Sequence, residues 1–251
     1  MTFPQFNKKH LEQALFEPGD FVNYKKWDKR KFPKKVIITY QRSLLEYFKR
    51  EYAGKYESLE FVDGHKVLKY GKVGFIKMAG IGSTHAATVF EELIALGAKE
   101  FINIGTAGGL DREGLFLCNK AIRDEGTSHH YLPASKYVYP DKGLTERLGI
   151  ALNRQGLPYI VAPTWTVDAP YRETKAEIAR YKKEGVATVE MEASALFAVA
   201  KVRKVDIAAA FVVSDVLGNK KWKPKFHTQN LKRTLNKLVD ASILCLGGKT
   251  K

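Results

Sequence analysis

The feature that most constrains this chain is a series of short β-branched apolar runs. Several end in glycines or small polar residues, and most are followed by a stretch with helical spacing. VIITY from Val36 precedes SLLEYFKREY, and KVGFIKMAGIG from Lys72 precedes THAATVFEELIALG, which Gly97 closes as a helix C-cap. KEFINIG from Lys99 ends in the turn TAGGL, and LFLCNKAIRD leads into the polar loop EGTSHHY. Further on, PYIVAPTW reads as a strand, ETKAEIARYKKEG as an amphipathic helix and TVEMEASALFAVAKVRK as a strand end entering a helix. DIAAAFVVSDV is a buried strand, and FHTQNLKRTLNKLVDASILCLG a last helix. SLEFV and HKVLKY flank Asp63-Gly64, a hairpin signal. Strands alternating with helices predict a single-domain layered α/β/α fold with a mainly parallel, mixed central sheet over residues 35–251. Residues 1–34, rich in Lys and aromatics but without period, read as a basic arm or partner contact.

A formal net charge of +15 suits nucleic acid, a membrane surface or an anionic small substrate. Outside Lys25–Lys35 and Lys220–Lys225 the basic residues are scattered, and no nucleic-acid module is present, so a solvated basic surface is the plainer reading. No apolar run is long enough to span a bilayer, and no signal segment opens the chain, so a cytoplasmic location is expected. The two cysteines, Cys118 and Cys245, match no metal or redox spacing and are expected to be reduced. The histidines His85, His129 and His130 show no ligand spacing, and no metal is expected.

Ligands of open α/β sheets collect beyond the carboxyl ends of the strands. Three such ends stand out: Gly80-Ile81-Gly82-Ser83, Gly105-Thr106-Ala107-Gly108-Gly109 and Ser214-Asp215. The first two offer backbone N–H groups to an anion or a close sugar, or they are simply tight turns. Glu190, Met191 and Glu192 sit where a strand gives way to an apolar helix; Glu192 could accept two hydrogen bonds from a sugar diol, or decorate a helix N-terminus. Asp215 follows AAAFVVS in a sheltered place that suits a general acid, or it caps a turn.

In their order along the chain, GIGSTHAATVFEELIALGAKEFINIGTAGGL, TVEMEASALFAVAK and AAAFVVSDV resemble the nucleoside phosphorylase superfamily, which includes purine nucleoside phosphorylase, uridine phosphorylase and the methylthioadenosine nucleosidases. The resemblance implies that Glu192 and Met191 contact ribose with Glu190 in support, that Thr106 binds phosphate with Gly82, and that Asp215, beside Ser214, meets N7 of a purine. It also implies that Tyr171 and Pro170 of TVDAPY lie at the base, that inorganic phosphate is the co-substrate with no bound cofactor, and that the protein is a homo-oligomer, a dimer or trimer of dimers. Two departures matter. Only Arg42 and Ser43 stand where phosphorylases carry Pro-Gly-Asp-Pro and an arginine, and Asn103 replaces the arginine that precedes the Gly-Thr turn. The triplet Pro18-Gly19-Asp20 precedes the first strand and is read as a decoy. With no carboxylate among Tyr40–Ser43 to activate water, the positive charge of Arg42 favours phosphorolysis of a purine nucleoside or uridine. A purine nucleosidase and a non-catalytic binder of nucleosides or nucleic acid are the alternatives.

Overall fold

The computed structural model describes residues 8–61, 64–217, 222–247 and 249. Asp63 of the expected hairpin turn and Lys220 and Lys221 of the second basic cluster lie outside them.

In chain order the elements are α1 (Pro18–Tyr24), β1 (Lys35–Thr39), α2 (Arg42–Glu51), β2 (Glu57–Glu60), β3 (Lys66–Tyr70), β4 (Val73–Lys77), α3 (Ser83–Ala95), β5 (Glu100–Gly109) and β6 (Leu115–Asp124). They continue with α4 (Ser128–Tyr131), β7 (Tyr137–Val138), α5 (Lys142–Arg154), β8 (Ile160–Val167), α6 (Lys175–Lys183), β9 (Thr188–Glu190), α7 (Ala193–Arg203), β10 (Asp206–Val216), β11 (Lys223–Pro224) and α8 (Gln229–Cys245). The strands form one mixed sheet. β4, β1, β5 and β10 run parallel, as do β6, β8 and β9, while the β2–β3 hairpin and the β10–β6 and β5–β9 junctions are antiparallel.

Two apolar layers explain why both faces of the central strands are apolar. In β10, Ala209 and Phe211 join a core with Phe90 of α3 and Leu196 and Phe197 of α7; Ala208, Ala210 and Val212 join a second with Leu44 and Phe48 of α2, Leu148 of α5 and Leu238 of α8. Helices therefore cover both faces, as the alternating pattern predicts. A further closure was not legible in that pattern. Because β5 pairs with both β10 and β9, the strands β5, β10, β6, β8 and β9 close into a ring, and several carboxyl ends converge at its mouth.

Gly97, at φ +103°, ends α3 as expected. The aperiodic N-terminal segment nevertheless contains α1, which places Val22 in the first core. Seven residues are too few for a helical period to register, but the signal was present as a capping box, with Glu17 and Asp20 exchanging hydrogen bonds around Pro18. That role also removes Pro18-Gly19-Asp20 from the candidate site residues. α4 forms in the expected loop, and α5, to which the sequence reading assigned nothing, starts from the cap Asp141 Oδ1 accepting from Leu144 N at 2.6 Å. Cys118 and Cys245 are free thiols, and among the described residues no helix is long and apolar enough to cross a membrane.

Candidate active site

The mouth of the ring is organised around Gly108. This residue of β5 is paired with Val189 of β9 on one side and Asp215 of β10 on the other, so the two strand ends lie about 10 Å apart, two strand spacings. A Cβ on Gly108 would stand 2.9 Å from Val189 Cγ1, too close without a shift, and at an ordinary contact distance of 3.7 Å from Asp215 Oδ2, so it is the approach of β9 that the absent side chain allows. One wall leads directly to Glu190-Met191-Glu192; the other carries Ser214-Asp215.

Glu190 is 6% exposed and fully engaged. Its Oε2 accepts the backbone N–H groups of Glu192 (2.8 Å) and Ala193 (2.7 Å), and its Oε1 accepts Thr166 Oγ1 (2.6 Å). It therefore fixes the strand-to-helix turn that leads to Glu192. Glu192, also 6% exposed, turns the other way: its Oε1 accepts the Gly82 N–H at 2.6 Å. Gly82 adopts φ +99°, ψ 153°, a conformation disfavoured for other residues, and in it aims this N–H across the gap. The contact is reinforced where Ser83 Oγ donates to the Met191 carbonyl at 2.7 Å. The Met191 methyl lies 4.0 Å from where a Gly82 Cβ would be, so Gly82, Met191 and Glu192 form one wall.

Burial pushes both glutamates above the usual carboxylate range, and Glu190 is pushed further by the charge of Glu192. A raised folded-state pKa stabilises the fold below the unfolded value and loses that stability as pH rises through the folded values. The melting temperature of the wild-type chain should therefore fall as pH rises from about 4.5 to about 8. Glu192→Gln, which removes one charge of the pair, should flatten that decline in a calorimetric pH series; equal slopes would show that the pair does not drive it.

On the opposite wall a β-bulge interrupts the β10–β5 register between Val213 and Asp215 and re-aims the aspartate at the mouth. Buried Ser214 donates from Oγ to Asp215 Oδ1 at 2.9 Å. Trp222, which the sequence reading missed, donates its indole N–H to Asp215 Oδ2 at 2.7 Å. The antiparallel pairs Asp215–Pro224 and Val216–Lys223 bring it there, a juxtaposition that residue spacing alone does not reveal.

Thr106 of β5 is partly buried, and its hydroxyl accepts the Gln41 side-chain N–H at 3.1 Å while Thr39 Oγ1 donates to Gln41 Oε1 at 2.9 Å. Gln41 thus fills the place beside the Gly-Thr turn. Arg42, next along the chain, is exposed in the first turn of α2. Asn103 is 0% exposed, and its amide O and N have no hydrogen-bond partner among the described residues. Tyr171 is fully exposed, and Pro170 is exposed beside it. Arg123 holds the α4 loop through Ser128, Leu132, Pro133 and Ser135. Of the histidines, His85 Nε2 accepts from Gly80 N at 3.2 Å, His129 Nδ1 lies 3.4 Å from an Arg123 guanidinium nitrogen, and His130 Nδ1 lies 2.9 Å from Lys9 Nζ. Among the described residues no group of His, Cys, Asp and Glu is arranged to hold a metal ion.

Chemically, each wall offers a carboxylate, Glu192 on one and Asp215 on the other, and β5 carries the Thr106 hydroxyl. Residues 41–244 match the Phosphorylase superfamily. The chain is 29% identical over 141 residues to a purine nucleoside phosphorylase of Plasmodium vivax (53% of this chain, 58% of that protein). It is 31% identical over 153 residues to a uridine phosphorylase of Treponema pallidum (55% and 59%). The aligned part thus spans under two thirds of each relative. In structure it is similar to an AMP nucleosidase of Bacteroides thetaiotaomicron, with a TM-score of 0.74, 22% identity, and coverage of 93% of this chain and 100% of that one.

Proposed function

Because the chain belongs to the Phosphorylase superfamily, we propose that it is an enzyme that cleaves the N-glycosidic bond of a nucleoside with inorganic phosphate, giving a free base and ribose 1-phosphate. The observation that carries this reading is the pairing of both carboxylate walls with one strand: Glu192, two residues past the Glu190 that ends β9, and Asp215 of β10 lie on opposite sides of Gly108. A ribose held at Glu192 has its base directed toward Asp215, with its reacting carbon between them near Thr106. Hydrogen bonds from the sugar hydroxyls to Glu192 orient the ribose, and Asp215 hydrogen-bonds the base as the bond stretches.

Phosphate is favoured as the nucleophile because the Gln41 amide and the Thr106 hydroxyl meet there and Arg42, exposed, follows Gln41 in the chain. An amide cannot take a proton from water, whereas donors and a cation suit an anion. Met191 and Gly82 complete the sugar wall, and Ser214 steadies Asp215. Tyr171 and Pro170 are proposed to face the base in an assembly of several copies of this chain, where the ring would have a partner. A purine is favoured over uracil because Asp215 suits the N7 edge. Hydrolysis is the second reading, favoured by neutral Asn103 in place of an arginine.

The two readings part on one assay. With a purine nucleoside, turnover should depend on added phosphate and yield ribose 1-phosphate; full turnover in phosphate-free buffer with free ribose as product would establish the hydrolytic reading instead.

A further inference from the structure

The N–H groups that lead into the Gly80-Ile81-Gly82 turn go to acceptors within the chain. Met78 N donates to the Thr39 carbonyl at 2.8 Å, Ala79 N to His65 Nε2 at 2.8 Å, Gly80 N to His85 Nε2 at 3.2 Å and Gly82 N to Glu192 Oε1 at 2.6 Å. Two imidazoles therefore hold the chain just ahead of the residue that meets Glu192. They arrive from different elements. β3 runs antiparallel to β4 with Val67 opposite Ile76, which brings His65, two residues earlier, to the exit of β4. His65 is 5% exposed, its ring set edge-on to Phe61 at 6.4 Å, and Phe61 packs in turn on Trp27 at 5.3 Å. His85 lies in the first turn of α3 and reaches back over Gly80, where a Cβ would stand 3.5 Å from His85 Cδ2, an ordinary contact. The two imidazoles stack with centroids 5.5 Å apart and planes inclined by 25°. A ring nitrogen that accepts carries no proton, so each neutral ring keeps its proton on Nδ1.

We propose that His65 and His85 are positioning residues for the sugar wall: they pin the β4 side of the Gly80–Gly82 turn so that the Gly82 N–H meets Glu192 and the carboxylate faces the ribose. This rests on the nucleoside-cleaving reading above. Two glycines in three residues leave the turn many backbone states, of which Gly82 at φ +99°, ψ 153° is one. Ser83, donating to the Met191 carbonyl at 2.7 Å, ties the far side of the turn to the wall that carries Glu192. The imidazoles tie the near side to the exit of β4. With both sides fixed, the Gly82 N–H takes one lone pair of Glu192 Oε1 and holds the carboxylate in place, leaving its other lone pairs for the sugar hydroxyls. Releasing the near side costs Glu192 its orientation and leaves its charge untouched.

The experiment compares wild type with His85→Phe, which keeps a flat ring over Gly80 and removes the acceptor, and with His85→Gln, which keeps an acceptor at similar reach and removes the ring. His85→Phe should lower kcat/KM for inosine by about 10-fold and speed amide hydrogen exchange at Gly80 and Gly82 by about as much, with exchange at Phe90 in mid-α3 unchanged. His85→Gln should stay within about threefold of wild type in both, and the paired changes at His65 should follow the same order. In a Glu192→Ala background His85→Phe should cost less than about twofold, because the carboxylate it positions is gone. A role in packing alone predicts the reverse order, Phe harmless and Gln costly, and that result overturns the proposal while leaving the proposed function intact. A His85→Phe loss of equal size with and without Glu192, or wild-type exchange at Gly82 in His85→Phe, overturns it too. If wild type cleaves no nucleoside, the proposed function and the role in sugar binding fall together, whatever the exchange rates show of the turn.

Discussion

Glu192→Ala should lower kcat/KM for nucleoside cleavage by about 1,000-fold. In the proposed complex Glu192 accepts hydrogen bonds from the ribose hydroxyls. Two bonds to a charged group at about 2 kcal/mol each sum to about 4 kcal/mol, or three powers of ten in rate. The side chain also receives the Gly82 N–H at 2.6 Å, so its removal leaves the first turn of α3 without its partner across the mouth. Glu192→Gln keeps that partner and the shape, and should lose only about 10-fold to 100-fold, because a neutral acceptor bonds less strongly. Steady-state kinetics on the three proteins decides this; equal activity of wild type and Glu192→Ala would remove the residue from sugar binding.

The second large effect falls on stability. Glu190 accepts three short hydrogen bonds from buried donors, the N–H groups of Glu192 and Ala193 and the Thr166 hydroxyl, with the Thr164 hydroxyl farther off at 3.5 Å. Glu190→Ala strands all three at about 1–2 kcal/mol each, a loss of about 3–6 kcal/mol. At about 2–4 °C per kcal/mol for a domain of this size, the melting temperature should fall by about 6–24 °C. Activity should fall too, since the turn that aims Glu192 is the one released. A variant that melts within about 2 °C of wild type would show that water replaces the carboxylate at little cost.

What the sequence made legible was local. The Val-Glu-Met-Glu and Ser-Asp segments lie at strand ends because apolar runs precede them, and the glycine turns fall where helices begin; both follow from residues adjacent in the chain. Partners recruited across the fold were not legible. Thr166 reaches Glu190 because β8 runs parallel to β9, Trp222 reaches Asp215 because a two-residue strand folds back on β10, and Gln41 reaches Thr106 from the exit of β1. Each joins residues whose separation carries no period. Asn103 was noticed as a departure from the family pattern, but its burial with unpaired amide atoms is a property of packing between β1 and β10. Tyr171 shows the opposite limit: the motif singled it out, and the residue is fully exposed.

The central claim is that the walls carrying Glu192 and Asp215 form one site that breaks a bond between sugar and base. The most direct measurement is chromatographic detection of free base after incubating the purified chain with inosine and, separately, with uridine in phosphate buffer. The account predicts free base from wild type, faster from inosine, and none above background from the Glu192→Ala, Asp215→Asn double variant. No base from either nucleoside, or equal release by the double variant, would contradict it.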